Sequence, residues 1–365
     1  MQSDLYFCMN SYLTYRAIVD HDRQFADHLT PWFYHHDVPR TPVNTAEELD
    51  QHLRKAINAA LSKGPVALML SSGMDSAILA KYLPEGTQTY TLHCHADSGI
   101  DETGAARDYA LRNGLTHTVV DIYWSDYEAY AGKLMRRKSC PIHSIEVQVY
   151  KAALQAKADG IRTLLFGETA DILYGGHSKL LSRNWDADAF FRRFSFVDTE
   201  KVLRHPQHIP EPILPYVQPD GNVDVFGFLN GFEYDVSLGF YQNACQLAEI
   251  DFFAPYSSSV LGHPLDLNRI RSGESKYVVR ELFCRLYPDL PIPEKMPLPR
   301  PMAQWLKDWT GPLHPELFAD HFHTLTGDQK WYVYALNQFL LEFTGDNTHA
   351  ISESGTCKTP LQDQN

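Results

Sequence analysis

From Thr45 onward apolar residues recur every three or four positions, at Leu49, Leu53, Ile57, Ala60 and Leu61, within the stretch TAEELDQHLRKAINAALSK. That spacing predicts an amphipathic helix with Thr45 as N-cap and Glu48 in the capping-box position. A continuous apolar run, VALML, follows and predicts a strand buried on both faces. The polar turn LSSGMDS at 70–76 interrupts it, and AILAKYL restarts as a short helix. The alternation then repeats. TQTYTLHCH predicts a strand, DETGAARDYALRNG a helix closed by Gly114, and THTVVDIYW a third strand. Helical periodicity covers 125–137 and 145–159, and IRTLLFG predicts a fourth strand.

Strands that are apolar on both faces and alternate with helices imply an α/β doubly wound parallel sheet, whose ligands sit at the carboxyl ends of the strands. Two unusual turns lie at such ends: SSGMDS after the first strand and GETADILYGG after the fourth. Beyond about residue 185 the strand signal fades into aromatic-rich helices with proline-rich connections such as PDLPIPEKMPLPRP. The expected organisation is an irregular lead-in over 1–44, an α/β core over 45–184, a mainly helical part over 185–343 and a polar, disordered tail over 344–365.

Composition narrows the partners. The 365 residues are 44% hydrophobic, enough to bury a substantial core. A formal net charge of -13 argues against a nucleic-acid partner gripped through a basic face. No stretch of 18 apolar residues occurs, and the opening MQSDLYFCMNSYLTYR lacks the basic and apolar regions of a signal peptide, so a cytoplasmic protein without a membrane partner is expected. The six cysteines are scattered without a C-x-x-C pair, as reduced structural thiols are. Among the 17 histidines, His93 and His95 would share one face of a strand, but no third metal ligand is indicated beside them.

The first turn carries the sharpest chemistry. Gly73 permits close backbone approach, Ser71, Ser72 and Ser76 offer hydroxyl donors, and a helix begins immediately behind them with its free N–H groups. Helix capping explains one serine, not three with an aspartate. Asp75 would repel a bare anion, so its presence points to a divalent cation such as Mg2+ between carboxylate and phosphate oxygens. Neither G-x-x-x-x-G-K-[ST] nor G-x-G-x-x-G occurs in the chain.

LSSGMDS resembles the SGGxDS loop of the PP-loop ATP pyrophosphatases, with Ser72 in place of the first glycine. FGETADILYGGH, DETGAARDYALRNGLTH, LAEIDFFAPYSSSVL and ESKYVVRELF…LPIPEKMPLPRP resemble, in the same order, four further segments of the synthetase domain of asparagine synthetase B and its relatives. The resemblance runs from about residue 45 to 343. It implies ATP and Mg2+, with Leu70, Ser71, Ser72, Gly73, Asp75, Ser76, Gly167 and Lys276 around the nucleotide and Asp75 and Asp171 on the metal. Arg280 is a further candidate for phosphate contact. The implied reaction activates a carboxylate as an acyl-adenylate, releases pyrophosphate, and transfers the acyl group to an amine. Glu168 stands where asparagine synthetases carry the glutamate assigned to ammonia, Lys295 matches the family's late lysine, and Glu249 aligns with the glutamate of its GLE motif.

Departures from the family qualify the substrate. The family's glutaminase domain begins with a cysteine after the initiator Met, whereas Gln2 follows Met1 here and only about 45 residues precede the first helix, so a synthetase half standing alone is expected. Nitrogen would come from free ammonia, a separate glutaminase subunit or an amine-bearing substrate. Ile172 replaces an acid of the asparagine-forming enzymes, as in the β-lactam-forming branch, and Ala254 and Ser258 replace an arginine and an aspartate. A non-aspartate acid is therefore expected. The alternatives are an intramolecular amide-forming cyclase and a non-catalytic nucleotide-binding relative.

Overall fold

The computed structural model describes residues 1–34, 39–97, 101–294, 296 and 298–345. Five parallel strands form its central sheet: β1 (Val66–Met69), β2 (Gln88–Cys94), β3 (Thr116–Ile122), β4 (Thr163–Leu165) and β5 (Asp251–Phe253), in the spatial order β3-β2-β1-β4-β5. The chain winds outward from β1 through β2 to β3, then crosses back to place β4 against the other side of β1. The strand order therefore reverses between β1 and β4, with Leu68 in register with Leu165. A crevice opens at such a switch point, beyond the carboxyl ends of the two strands.

Helices cover both faces, as the apolar runs require. On one face Ala67, Tyr90, Leu92, Val120 and Leu164 pack with α1 (Leu5–Tyr15), α5 (Trp124–Lys138), α6 (Ser144–Ala158) and the helices Tyr234–Leu247 and Gly327–Phe339. On the other, Val66, Leu68 and Leu165 pack with α2 (Ala46–Leu61), α3 (Met74–Ala80), α4 (Thr103–Arg112) and the helix Tyr277–Leu286. Thr45 caps α2, accepting from the Glu48 N–H at 3.2 Å, and Gly114 takes the left-handed φ of +66° that closes α4. The expected capping box does not form, since Glu48 accepts from the Asn44 N–H at 2.7 Å and not from that of Thr45. No helix among the described residues is long and apolar enough to cross a membrane.

The lead-in is not irregular. It contains α1, whose residues Cys8 to Tyr15 are all buried, so no amphipathic period marks it in the sequence. Its buried polar groups are satisfied, Asn10 Nδ2 donating to the His205 carbonyl at 2.9 Å and Ser11 Oγ to that of Ala17 at 2.8 Å. The sheet also does not end at residue 184. Its edge strand β5 comes from the second half of the chain and is only three residues long, too short for a periodic signal. Lys295, and the tail from residue 346, lie outside the described residues.

Candidate active site

The turn after β1 is held by its own serines. Ser76 Oγ lies 2.9 Å from Ser71 Oγ, accepts the Ser71 N–H at 3.0 Å and reaches the Gly73 carbonyl at 3.2 Å, while Ser71 Oγ accepts the Gly73 N–H at 3.2 Å. Gly73 ends the turn with extended backbone, and α3 begins behind it without a side-chain cap, leaving its first N–H groups to an incoming acceptor. Ser72 points away from that work. Its N–H and hydroxyl both donate to Glu102 Oε2, at 3.0 and 3.1 Å, and burial pushes the Glu102 carboxyl above the usual carboxylate range despite those bonds.

The turn after β4 comes within touching distance of the first. A Cβ on Gly167 would lie 2.9 Å from the Ser76 nitrogen, so only glycine lets the two backbones meet. Glu168 is next, partly buried. It accepts from Ser237 Oγ at 3.0 Å and from the Tyr241 hydroxyl, and desolvation nevertheless raises its pKa. Thr169 then takes a left-handed φ of 72°, which turns the chain into the short helix α7 (Ala170–Leu173) with Asp171 in its first turn. Gly176 packs against that turn so closely that a Cβ would fall 2.0 Å from Asp171 Oδ1.

Lys276 joins the two turns. Its ammonium lies 2.9 and 2.6 Å from the Asp75 oxygens and 3.0 Å from Asp171 Oδ1, and the residue is only 4% exposed. Burial opposes its charge, but the attraction of Asp75 and Asp171 outweighs it and holds its pKa above the ordinary lysine value. Two carboxylates thus converge on one cation position. A hard-oxygen pair of that kind suits Mg2+.

Above these groups lies a cleft of about 500 Å³, lined by Leu70, Ser71, Gly73, Asp75, Ser76, Gly167, Glu168, Asp171, Lys276 and Arg280. Apolar side chains line it as well, among them Met69, Leu92, Ile145, Val149, Phe166 and Leu298. The cleft thus combines hydroxyls, cationic and carboxylate groups with apolar side chains.

Not every expected site residue reaches the cleft. Glu249 stands at the amino end of β5, opposite the cleft, in a turn with φ of 58°, its side chain 78% exposed and paired with Lys157. The local motif sets that turn, and the strand it precedes carries it away. Ile172 is 2% exposed within the apolar core, so it fills space there rather than facing the cleft. Conversely, Tyr241 and Ser237 were not expected. They lie four apart on the helix Tyr234–Leu247, on one face, and that i, i+4 polar pair is the signal that could have found them. Tyr256, whose hydroxyl donates to the Asp75 carbonyl at 3.1 Å, left no comparable signal.

Residues 48–218 match the asparagine synthase family. The match is shorter than the segment resemblance, which extends to about residue 343. Among solved structures, a U34-tRNA thiolase from Methanococcus maripaludis is 16% identical, covering 68% of this chain and 82% of its own, with a TM-score of 0.23. NMN synthetase from Francisella tularensis is 12% identical over 70% of this chain and 100% of its own, with a TM-score of 0.25. These likenesses are loose. No curated protein matches the chain.

Proposed function

Because residues 48–218 belong to the asparagine synthase family, we propose that this protein is an ATP-dependent, AMP-forming amide synthetase acting on a carboxylic acid other than aspartate. The observation that carries the reading is Lys276 tying Asp75 to Asp171 across the two turns, in the same cleft as Glu168. A nucleotide would place its phosphates against the Ser71–Ser76 turn and the start of α3, and its flat base against the apolar side chains of the cleft.

In the proposed first step a carboxylate oxygen of the substrate attacks the α-phosphorus. The bond from that phosphorus to the bridging oxygen breaks, and pyrophosphate leaves. Lys276 and Arg280 supply positive charge where the phosphates gather negative charge, and Lys295 keeps the cationic role that the family resemblance implies for it. Asp75 and Asp171 would hold Mg2+ once the Lys276 ammonium turns from them to the phosphates, and the ion would add charge neutralisation there.

In the second step an amine attacks the acyl carbon and AMP departs with the bonding pair. The attacking nitrogen must lose a proton, and Glu168 is the base within the cleft. Its raised pKa brings it nearer to neutrality, where a general base works best. The amine would be ammonia, free or from a separate glutaminase, or a larger nitrogen nucleophile.

Acid-dependent exchange of labelled pyrophosphate into ATP, run across amino acids, uronic acids and small carboxylates, tests the proposal and names the acid. AMP and pyrophosphate are the expected products. ADP and phosphate instead would overturn it, and nucleotide binding without exchange for any acid would favour the non-catalytic reading.

A further inference from the structure

His93 lies directly opposite Asp121 in the β2–β3 register, and the ladder continues past the strand end through the His95 N–H to the Ile122 carbonyl at 2.9 Å. Successive residues of a strand point to opposite faces. His93 and His95 therefore stand on one face, away from Leu92 and Cys94, which belong to the core on the other. The third ligand that the sequence did not indicate is supplied by the neighbouring strand.

We propose that His93, His95 and Asp121 form a binding site for a divalent first-row transition-metal ion of the Zn2+ type, separate from the Asp75–Asp171 site. One oxygen, Asp121 Oδ1, faces two ring nitrogens, His95 Nε2 at 2.7 Å and His93 Nδ1 at 3.3 Å. All three ligand atoms lie within 4.8 Å of one another. An ion with bonds of about 2.0 Å and tetrahedral angles holds its ligand atoms about 3.3 Å apart, so modest side-chain rotations gather this set around one centre.

The surroundings favour that geometry. The His95 ring is stacked on Tyr123, with centroids 4.4 Å apart and planes 11° from parallel, and its carbonyl accepts from Trp305 Nε1 at 3.3 Å. Both restrain the residue. The side chains are 32%, 38% and 51% exposed for His93, His95 and Asp121, which leaves room for a water or an external ligand to complete the shell. Two imidazoles and one carboxylate select Zn2+, Co2+ or Ni2+ over Mg2+, which takes oxygen ligands. Millimolar Mg2+ will therefore not compete at the histidine site.

The test is calorimetric titration of the metal-stripped full chain with ZnCl2 in excess Mg2+. One equivalent is expected to bind, and His95→Ala and Asp121→Asn to weaken it roughly tenfold or more while the thermal midpoint of the metal-free protein stays put. Titration of the unaltered chain with Co2+ gives an independent readout: a visible band of four-coordinate type that is lost in both variants. No stoichiometric binding, or binding unchanged in both variants, overturns the proposal, as does a Co2+ spectrum of six-coordinate type without imidazole in its X-ray absorption.

Discussion

The ammonium of Lys276 sits 2.6 Å from Asp75 Oδ2 and so ties a helix from the second half of the chain to the turn after β1. The same nitrogen, 3.0 Å from Asp171, draws in the turn after β4. Lys276→Met should strand two carboxylates and cost about 3 kcal/mol of stability, the usual scale for breaking a buried ion pair. Thermal melts should also show millimolar Mg2+ recovering more stability in the variant than in the parent, since the cation position is then vacated. The lysine's pKa is raised on folding, so its contribution is full below the unfolded value of about 10.4 and fades only as pH climbs beyond it. Melts between neutral pH and pH 9 should show a constant difference between parent and variant.

Glu168 is held protonated to higher pH than an ordinary glutamate. If it takes the proton from the amine, the rate of amide formation should rise with pH through that elevated value, then level. Glu168→Gln should lower the rate by about 10²–10⁴-fold and abolish this acid limb. Pyrophosphate exchange, which precedes the amine, should be much less affected, and equal loss in both assays would rule against the assignment.

Gly167→Ala drives a methyl into the Ser76 nitrogen at 2.9 Å, where backbone rather than a flexible side chain must yield. A loss of about 1–3 kcal/mol is expected from overpacking, with a raised KM for ATP because the two turns separate. Denaturant melts and steady-state kinetics read the two effects.

Ser72→Gly restores the family residue. Since the Ser72 hydroxyl is spent on Glu102, the substitution should cost about 1 kcal/mol in stability and leave the affinity for nucleotide nearly unchanged. A tenfold loss of ATP affinity would show that the hydroxyl serves the phosphates after all.

Glu249→Ala, at an exposed turn remote from the cleft, should leave both the thermal midpoint and turnover unchanged. Loss of activity there would mean that a different conformation operates in catalysis.

Four of the five sheet strands, α2 with its N-cap, and the two turns of the candidate site were legible because each depends on a local pattern: an apolar run, a 3.6-residue period, or glycines and hydroxyls at a strand end. α1 was not, because a helix buried all round has no polar face to mark it. Asp75 could be named from its turn, and Glu168 and Asp171 from the resemblance of theirs to a family motif. Their partners Ser237, Tyr241, Tyr256 and Lys276 lie between 69 and 201 residues away along the chain, and of these only Lys276 sat in a stretch distinctive enough to be singled out.

The sequence by itself determined the alternation of the first four sheet strands with helices, and a hydroxyl-rich turn and a glycine-rich turn at two strand ends, each carrying carboxylates, since these follow from composition and spacing within a few residues. Only the tertiary structure decided that Lys276 bridges those carboxylates, that Ser72 serves Glu102, that Glu249 is exposed far from the cleft, and that Asp121 completes a trio with His93 and His95. Each depends on which strand lies beside which. That neighbour relation is fixed by burying both faces of the whole sheet and is written in no single stretch of residues.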